Sequence, residues 1–359
     1  MLAAMSGGRV AGWVLVALVV HAGAACDGTR DGFTREDQAL FATLSPLPAP
    51  PACDVGSSCA RVAALGQAIF FTRAFSGALA VGDDGQNGGL GTVGAVGKIA
   101  CIDCHDPARW FVDRRSRPVG LSLGAAWTER SAPTLVDVGY QTILSWSGEY
   151  DSLAQSFEVA LTRPNVMNSS REALVAWLAD PAGGLAFYQA AYGEAPGADA
   201  YDRAAEAVTT YEQQLVSRDA PFDRYVAGDD AALGAAAKRG LALFIGDAGC
   251  IECHHGPLFS DGERHVTGVP AEIPDLGAGH GEFRTATLRS VAETAPYMHA
   301  GQLATLTDVV GFYNQGGTGT GALVPLGLDD AQVADLVAFL QALTGKEVEP
   351  RWRSDPFAP

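Results

Sequence analysis

Apolar positions fall on one helical face in six stretches of the chain: residues 61–71, 152–161, 170–178, 201–215, 233–245 and 329–343. Recurrence at three- and four-residue spacing predicts amphipathic helices there. The last two have the clearest boundaries. Residues 233–245 are alanine-rich and stop at Gly246, and residues 329–343 open on Asp329 and are followed by Gly345. Strand-like alternation is scarce, residues 134–138 being the best short candidate. Residues 27–60 read as loop, with a proline-rich stretch from Pro46 to Pro51 that predicts an extended lead. The pattern therefore predicts a mainly α chain with few short strands. A length of 359 residues suits two domains, each with its own core.

Two copies of one signature interrupt this pattern: Cys101-Ile102-Asp103-Cys104-His105 and Cys250-Ile251-Glu252-Cys253-His254. Cys-x-x-Cys-His reads as a c-type haem attachment site. The two thiols reach the porphyrin as thioethers, and the histidine that follows ligates the iron. A redox Cys-x-x-Cys with a chance histidine, or half of a zinc site, is the rival for one copy; two complete copies favour two covalent haems. The glycine-rich loop at residues 82–97 is not followed by Gly-Lys-Ser/Thr and reads as packing near a haem edge. One haem per unit divides the chain into an export signal (1–25), the lead (26–60), an N-terminal haem domain (61–198), a C-terminal haem domain (199–345) and a tail (346–359).

A formal charge of −17 argues against nucleic acid and anionic membrane surfaces as partners, and favours soluble partners with basic patches. Arg9, the apolar run 11–20 and small residues up to Cys26 form an export signal too short to span a membrane. Cleavage near Ala24 is one outcome. The end of the segment, Gly23-Ala24-Ala25-Cys26, also resembles a lipobox, in which Cys26 would be lipidated, although glycine replaces the usual leucine. Four of the seven cysteines belong to the haem motifs and one is Cys26, which leaves Cys53 and Cys59. In an oxidising periplasm these would form a small disulfide loop, a free pair being the alternative.

Longer stretches carry a more specific signal: Cys101-Ile-Asp-Cys-His-Asp-Pro-Ala-Arg, Arg130-Ser-Ala-Pro-Thr-Leu, Ser217-Arg-Asp-Ala-Pro-Phe-Asp-Arg-Tyr, Phe283-Arg-Thr-Ala-Thr-Leu-Arg, Thr294-Ala-Pro-Tyr-Met-His-Ala-Gly and Phe312-Tyr-Asn-Gln-Gly-Gly. With these the chain resembles the bacterial di-haem cytochrome c peroxidases and the related MauG proteins, from about Leu65 to Gly345. The resemblance implies two cytochrome-c-like haem domains packed around an inter-haem interface. It also implies unequal haems: an open N-terminal haem where hydrogen peroxide is cleaved, and a six-coordinate C-terminal haem that relays electrons. Tyr313, fourteen residues after His299, stands where peroxidases of the family place a methionine ligand and MauG-type members a tyrosine; Met298 is its rival. Residues 106–135 contain no histidine to close the first haem, which is therefore expected to be open at rest. Trp146 matches the family's inter-haem aromatic, a buried interface ring being its ordinary alternative.

Departures from the family cluster at the distal pocket. The resemblance places a catalytic glutamate at Val166, within Pro164-Asn-Val-Met-Asn168, and valine carries no proton. The family's glutamine aligns with Ser156, beside Gln155. A register shift bringing in Glu158, a water held by Asn168 or Gln155, or weak turnover are the explanations left open. The family's calcium ligands match Thr294 and Pro296, with serine at Ser131 where an asparagine is usual. Asp106, Arg109 and Arg289 either meet haem propionates or form ordinary ion pairs. The expected partners are hydrogen peroxide and either a small donor protein (a cytochrome c or a cupredoxin) or a protein substrate; a homodimer stays open. A non-enzymatic electron carrier or haem-based sensor is the rival function, and Val166 is its support.

Overall fold

The computed structural model describes residues 29–82, 90–113, 121–270, 274–319 and 323–358. The export signal and Cys26 lie outside the described residues. Eleven α-helices occur among the described residues: α1 (Arg35–Ala42), α2 (Ser58–Phe71), α3 (Leu153–Thr162), α4 (Arg171–Ala179), α5 (Leu185–Tyr192), α6 (Ala200–Glu212), α7 (Pro221–Val226), α8 (Ala235–Ile245), α9 (Leu306–Asn314), α10 (Asp330–Gln341) and α11 (Pro350–Arg353). Their caps follow the sequence. Ser57, Ser152 and Ser170 accept from backbone N–H groups at the starts of α2, α3 and α4, and Asp329 and Gln332 form a reciprocal capping box on α10.

The same packing device is used twice. α2 crosses α6 so closely that a Cβ on Gly66 would lie 2.0 Å from the Ala207 carbonyl oxygen. α8 crosses α10 in the same way, with Gly240 against the Asp335 carbonyl at 2.0 Å. Glycine in mid-helix costs up to about 1 kcal/mol of propensity, offset here by the area each crossing buries. The first core gathers Leu65, Ile69, Phe157, Leu161, Leu174, Tyr188 and Val208; the second gathers Leu241, Phe244, Phe259, Leu336 and Phe339.

Packing crosses the boundary expected at residue 199. Ala200, Ala204, Ala207 and Val208 of α6 are core residues of the first cluster. The chain ends also cross over. Phe33, Phe41 and Leu44 of the lead pack into the second core, whereas Val348 and Trp352 of the tail pack beside Phe70 and Tyr211 of the first unit. The lead is not wholly extended either, because Thr34 and Asp37 form a capping box that starts α1. A disulfide joins Cys53 to Cys59, and the Arg351 guanidinium donates to the Cys53 carbonyl at 3.1 Å.

Residues 134–138 pair with no strand. Val136 and Val138 are buried, and Asp137 between them turns left-handed with φ 60°. Its buried carboxylate accepts from the Ser217 N–H at 3.2 Å and from Arg218 at 3.0 Å. Local polar bonding thus wins over strand pattern. The strands lie elsewhere, β1 (Arg264–Val266) pairing antiparallel with β2 (Glu282–Arg284) and His265 opposite Phe283.

Candidate haem centres

Each haem motif folds as a single 3-10 turn, Cys101–Asp103 and Cys250–Glu252. In both, the histidine N–H closes back onto the first cysteine's carbonyl, at 2.8 Å for His105 and 2.9 Å for His254. Asp103 pins the first turn by accepting from the Ala100 N–H at 2.8 Å and from Arg73 at 2.6 and 3.0 Å. Gly249, left-handed at φ 60°, admits the chain to the second.

The imidazoles are held alike. His105 Nδ1 lies 3.1 Å from the Phe111 carbonyl oxygen and His254 Nδ1 lies 2.8 Å from that of Phe259. A carbonyl only accepts, so each Nδ1 carries the hydrogen and each Nε2 keeps its lone pair. Burial lowers both histidine pKa values, which keeps the rings neutral and able to bind a metal. The two orienting phenylalanines are themselves left-handed, Phe111 at φ 58° and Phe259 at φ 52°. That conformation costs about 1–2 kcal/mol per residue, and both centres keep it. The sequence carried a faint signal, a phenylalanine shortly after each Cys-x-x-Cys-His.

Cys101, Cys104, Cys250 and Cys253 are all free thiols. Two cysteine pairs outside any disulfide, in a chain that oxidises Cys53–Cys59, each beside a histidine, fit two covalently attached haems.

Tyr313 sits on α9, a helix that the sequence pattern missed because its apolar stripe is short. Its phenol is pushed up to about 12 by burial and by the neighbouring Cys250 and Cys253 sulfurs. Met298 occupies a left-handed corner at φ 70° in the loop where the Tyr297 N–H donates to the Leu303 carbonyl at 2.7 Å. Next to it, buried His299 stacks on Phe283 with centroids 4.0 Å apart and planes at 7°. The Gln302 amide donates to His299 Nε2 at 3.0 Å. Burial drives this imidazole's pKa down to about 4.

Trp146 lies where the two units meet. Its indole N–H donates to the Ser131 carbonyl at 2.7 Å, and the Ser131 N–H donates to the His299 carbonyl at 2.8 Å. The Arg284 N–H closes onto the Trp146 carbonyl at 2.8 Å. Arg130 adds a two-pronged ion pair to Asp275, at 2.7 and 2.8 Å. These bonds hold the indole in a fixed place between Ser131 of the first unit and Arg284 of the second.

The candidate distal residues are committed to other work. Val166 packs partly buried against the first core, and its carbonyl accepts from the Ala125 N–H at 2.7 Å. Asn168, left-handed at φ 48°, donates its side-chain amide to the Ala78 carbonyl at 2.8 Å. Gln155 is exposed, with its side-chain oxygen 3.2 Å from the Asp151 N–H. Ser156 is half-buried beside it on α3. Glu158 is ion-paired with Arg171 on the surface. Arg289 is likewise occupied, bonded to Asp223 at 2.8 and 2.9 Å and to the Pro257 and Leu44 carbonyls, so it braces the second core.

Residues 60–231 match the family model for di-haem cytochrome c peroxidase. The cytochrome-c peroxidase IdrP2 of Denitromonas iodatirespirans is 32% identical over 94% of this chain and 92% of its own length. The chain belongs to the di-haem cytochrome c peroxidase family. Within that family it is also similar to the methylamine utilization protein MauG of Methylorubrum extorquens, 35% identical over 67% of this chain and 71% of that protein. Among solved structures, a MauG-like protein associated with microbial copper homeostasis superposes with a TM-score of 0.71 at 26% identity, covering 87% of this chain and 97% of its own. The di-haem peroxidase assignment makes the chain a peroxidase-like oxidoreductase carrying two haem c groups, and the mainly helical fold agrees with it.

Cys253, Asp261 and His265 place ligand atoms within 4.8 Å of one another. Were Cys253 a haem thioether, the cluster would reduce to the Asp261–His265 pair, 2.7 Å apart.

Proposed function

We propose that the chain is an exported di-haem peroxidase. Hydrogen peroxide reacts at a first centre built on Cys101, Cys104 and His105. Electrons reach it past Trp146 from a second centre built on Cys250, Cys253, His254 and Tyr313. The observation that carries this reading is the inequality of the two centres. The half-buried Tyr313 phenol interacts electrostatically with Cys250 and Cys253, whereas no histidine follows the first motif between residues 106 and 135.

Bound haem supplies an iron that exchanges single electrons and takes peroxide where a coordination position is free. The chain's residues do the rest. The Phe111 and Phe259 carbonyls fix the tautomer and orientation of the two imidazoles, and the Ser131 carbonyl fixes the plane of Trp146. Proton handling is the weak point, because none of Val166, Asn168, Gln155 and Glu158 offers a free carboxyl. Protons would then move through water, at a typical loss of about 10²–10⁴-fold in rate.

The Cys53–Cys59 disulfide supports an oxidising, extracytoplasmic compartment. No helix among the described residues is long and apolar enough to cross a membrane. The donor would be a small basic-faced cytochrome c or cupredoxin, or a residue on a protein substrate, drawn by the −17 charge. A calcium ion would suit the loop around Ser131: the Thr294 and Pro296 carbonyls accept no hydrogen bond from any described residue. The Val166 substitution favours one rival, an electron carrier or haem-based sensor. Mixing the di-haem protein with peroxide and a reduced donor decides between them: consumption supports the peroxidase, and untouched peroxide the carrier.

A further inference from the structure

A row of aromatic rings leads away from His105. The Phe70 ring centroid is 6.4 Å from that of His105, Tyr211 is 5.2 Å from Phe70, and Trp352 is 6.2 Å from Tyr211. The three rings come from α2, α6 and α11, and all are buried. Their spacing is fixed. The Tyr211 hydroxyl donates to the Trp352 carbonyl at 2.7 Å, and the Gln67 amide donates to the Arg351 and Ser354 carbonyls at 2.7 and 2.8 Å. Trp352 also lines a cleft of about 330 Å³ shared with Pro51, Cys53, Gln214 and Arg351. Trp352 thus lies between that cleft and Tyr211, two rings from His105.

We propose that Trp352 is a second electron source for the first centre, passing an electron past Tyr211 and Phe70 when no donor serves the second centre, and recovering it from a small one-electron reductant, such as a phenol, in the cleft. The inference rests on the peroxide reading above. In the step the indole loses one electron and the peroxide-oxidised first centre gains it. No bond forms or breaks and no proton moves. The reductant then loses one electron and restores the indole.

Chemistry selects Trp352 over Tyr211 as the terminus. A phenol gives up its proton when oxidised, and the Tyr211 hydroxyl is bonded to a carbonyl oxygen, which does not take one. Tyr211 therefore serves as a bridge. An indole holds the charge as a cation without losing a proton. The Arg351 guanidinium 4.5 Å over the ring opposes that charge, and Glu349, 3.0 Å from the same guanidinium, offsets it.

The test treats the holo-protein with stoichiometric hydrogen peroxide and no reductant, follows peroxide loss, and locates oxidised tryptophan by peptide mass spectrometry. The expected result is oxygen addition concentrated at Trp352, falling severalfold in Phe70→Leu and when excess phenol is present. In Trp352→Phe the oxidised spectrum of the first centre should also persist longer. Peroxide consumed with oxidation confined to Trp110, Trp127, Trp146 or Trp177 overturns the proposal and leaves the peroxide reading intact. Equal modification of Trp352 in Cys101→Ser/Cys104→Ser protein also overturns it, because peroxide is then attacking the ring directly. Peroxide left unconsumed sinks the peroxide reading and this inference with it.

Discussion

Replacing Val166 with glutamate restores a proton carrier at the position where the family places one. The backbone there is fixed from three sides. The Val166 carbonyl accepts from the Ala125 N–H at 2.7 Å, its N–H donates to the Arg163 carbonyl at 3.0 Å, and a Cβ on Gly124 would meet the Val166 oxygen at 2.5 Å. The new carboxyl therefore leaves the chain where the valine does, with little backbone adjustment. Losing a partly buried valine costs about 1 kcal/mol, a fraction of the ~1.5–3 kcal/mol of a fully buried one. Desolvation raises the new carboxyl's pKa, so its help as a base appears as pH rises through that raised value. General acid–base assistance is worth about 10²–10⁴-fold, and kcat/KM for peroxide should rise by that order in Val166→Glu over Val166→Gln, which has the same shape and no proton to move. Equal rates for the two variants, each with both haems attached and a similar melting temperature, would refute the argument that this position limits turnover.

Other perturbations follow from the same geometry. Tyr313→Phe should remove the sixth ligand of the second haem, seen as conversion of its low-spin spectrum to high-spin, with the first haem's bands unchanged. Asp275→Asn breaks the ion pair to Arg130, and thermal unfolding should show a loss of about 1–3 kcal/mol. Arg130 holds the Asp275 carboxyl below its ordinary range, so this stability is present above the unfolded pKa near 4 and is lost as pH falls through the lower folded value; an Asp275→Asn protein should lack that acid-side loss. Removing the Cys53–Cys59 disulfide, which closes a loop of sequence separation 6, should cost about 2 kcal/mol in unfolding free energy without changing either haem spectrum.

Much of the chemistry was legible in the sequence because it is local. Each Cys-x-x-Cys-His states its cofactor in five residues, and helices such as α3, α4 and α10 announce themselves by periodicity and a cap. What escaped is non-local. Nothing in residues 200–212 says that they belong with α2 rather than with the second motif; the contact is made by Gly66 meeting the Ala207 carbonyl. The crossing of Phe41 into the second core and Trp352 into the first pairs chain ends far apart in sequence. Phe111 and Phe259 act through their carbonyls, for which side-chain identity is a poor guide. Tyr313 stands out in the sequence only by its distance from His299, and α9 buries only Leu306 and Val310. The valine at position 166 was readable as a loss, and the structure adds that Glu158 is engaged by Arg171.

The most direct test of two unequal haems is the spin state of the ferric holo-protein by electron paramagnetic resonance, before and after one equivalent of hydrogen peroxide. The account predicts one high-spin and one low-spin haem at rest, with the high-spin signal lost on addition of peroxide. Two low-spin haems whose signals peroxide leaves unchanged would contradict it.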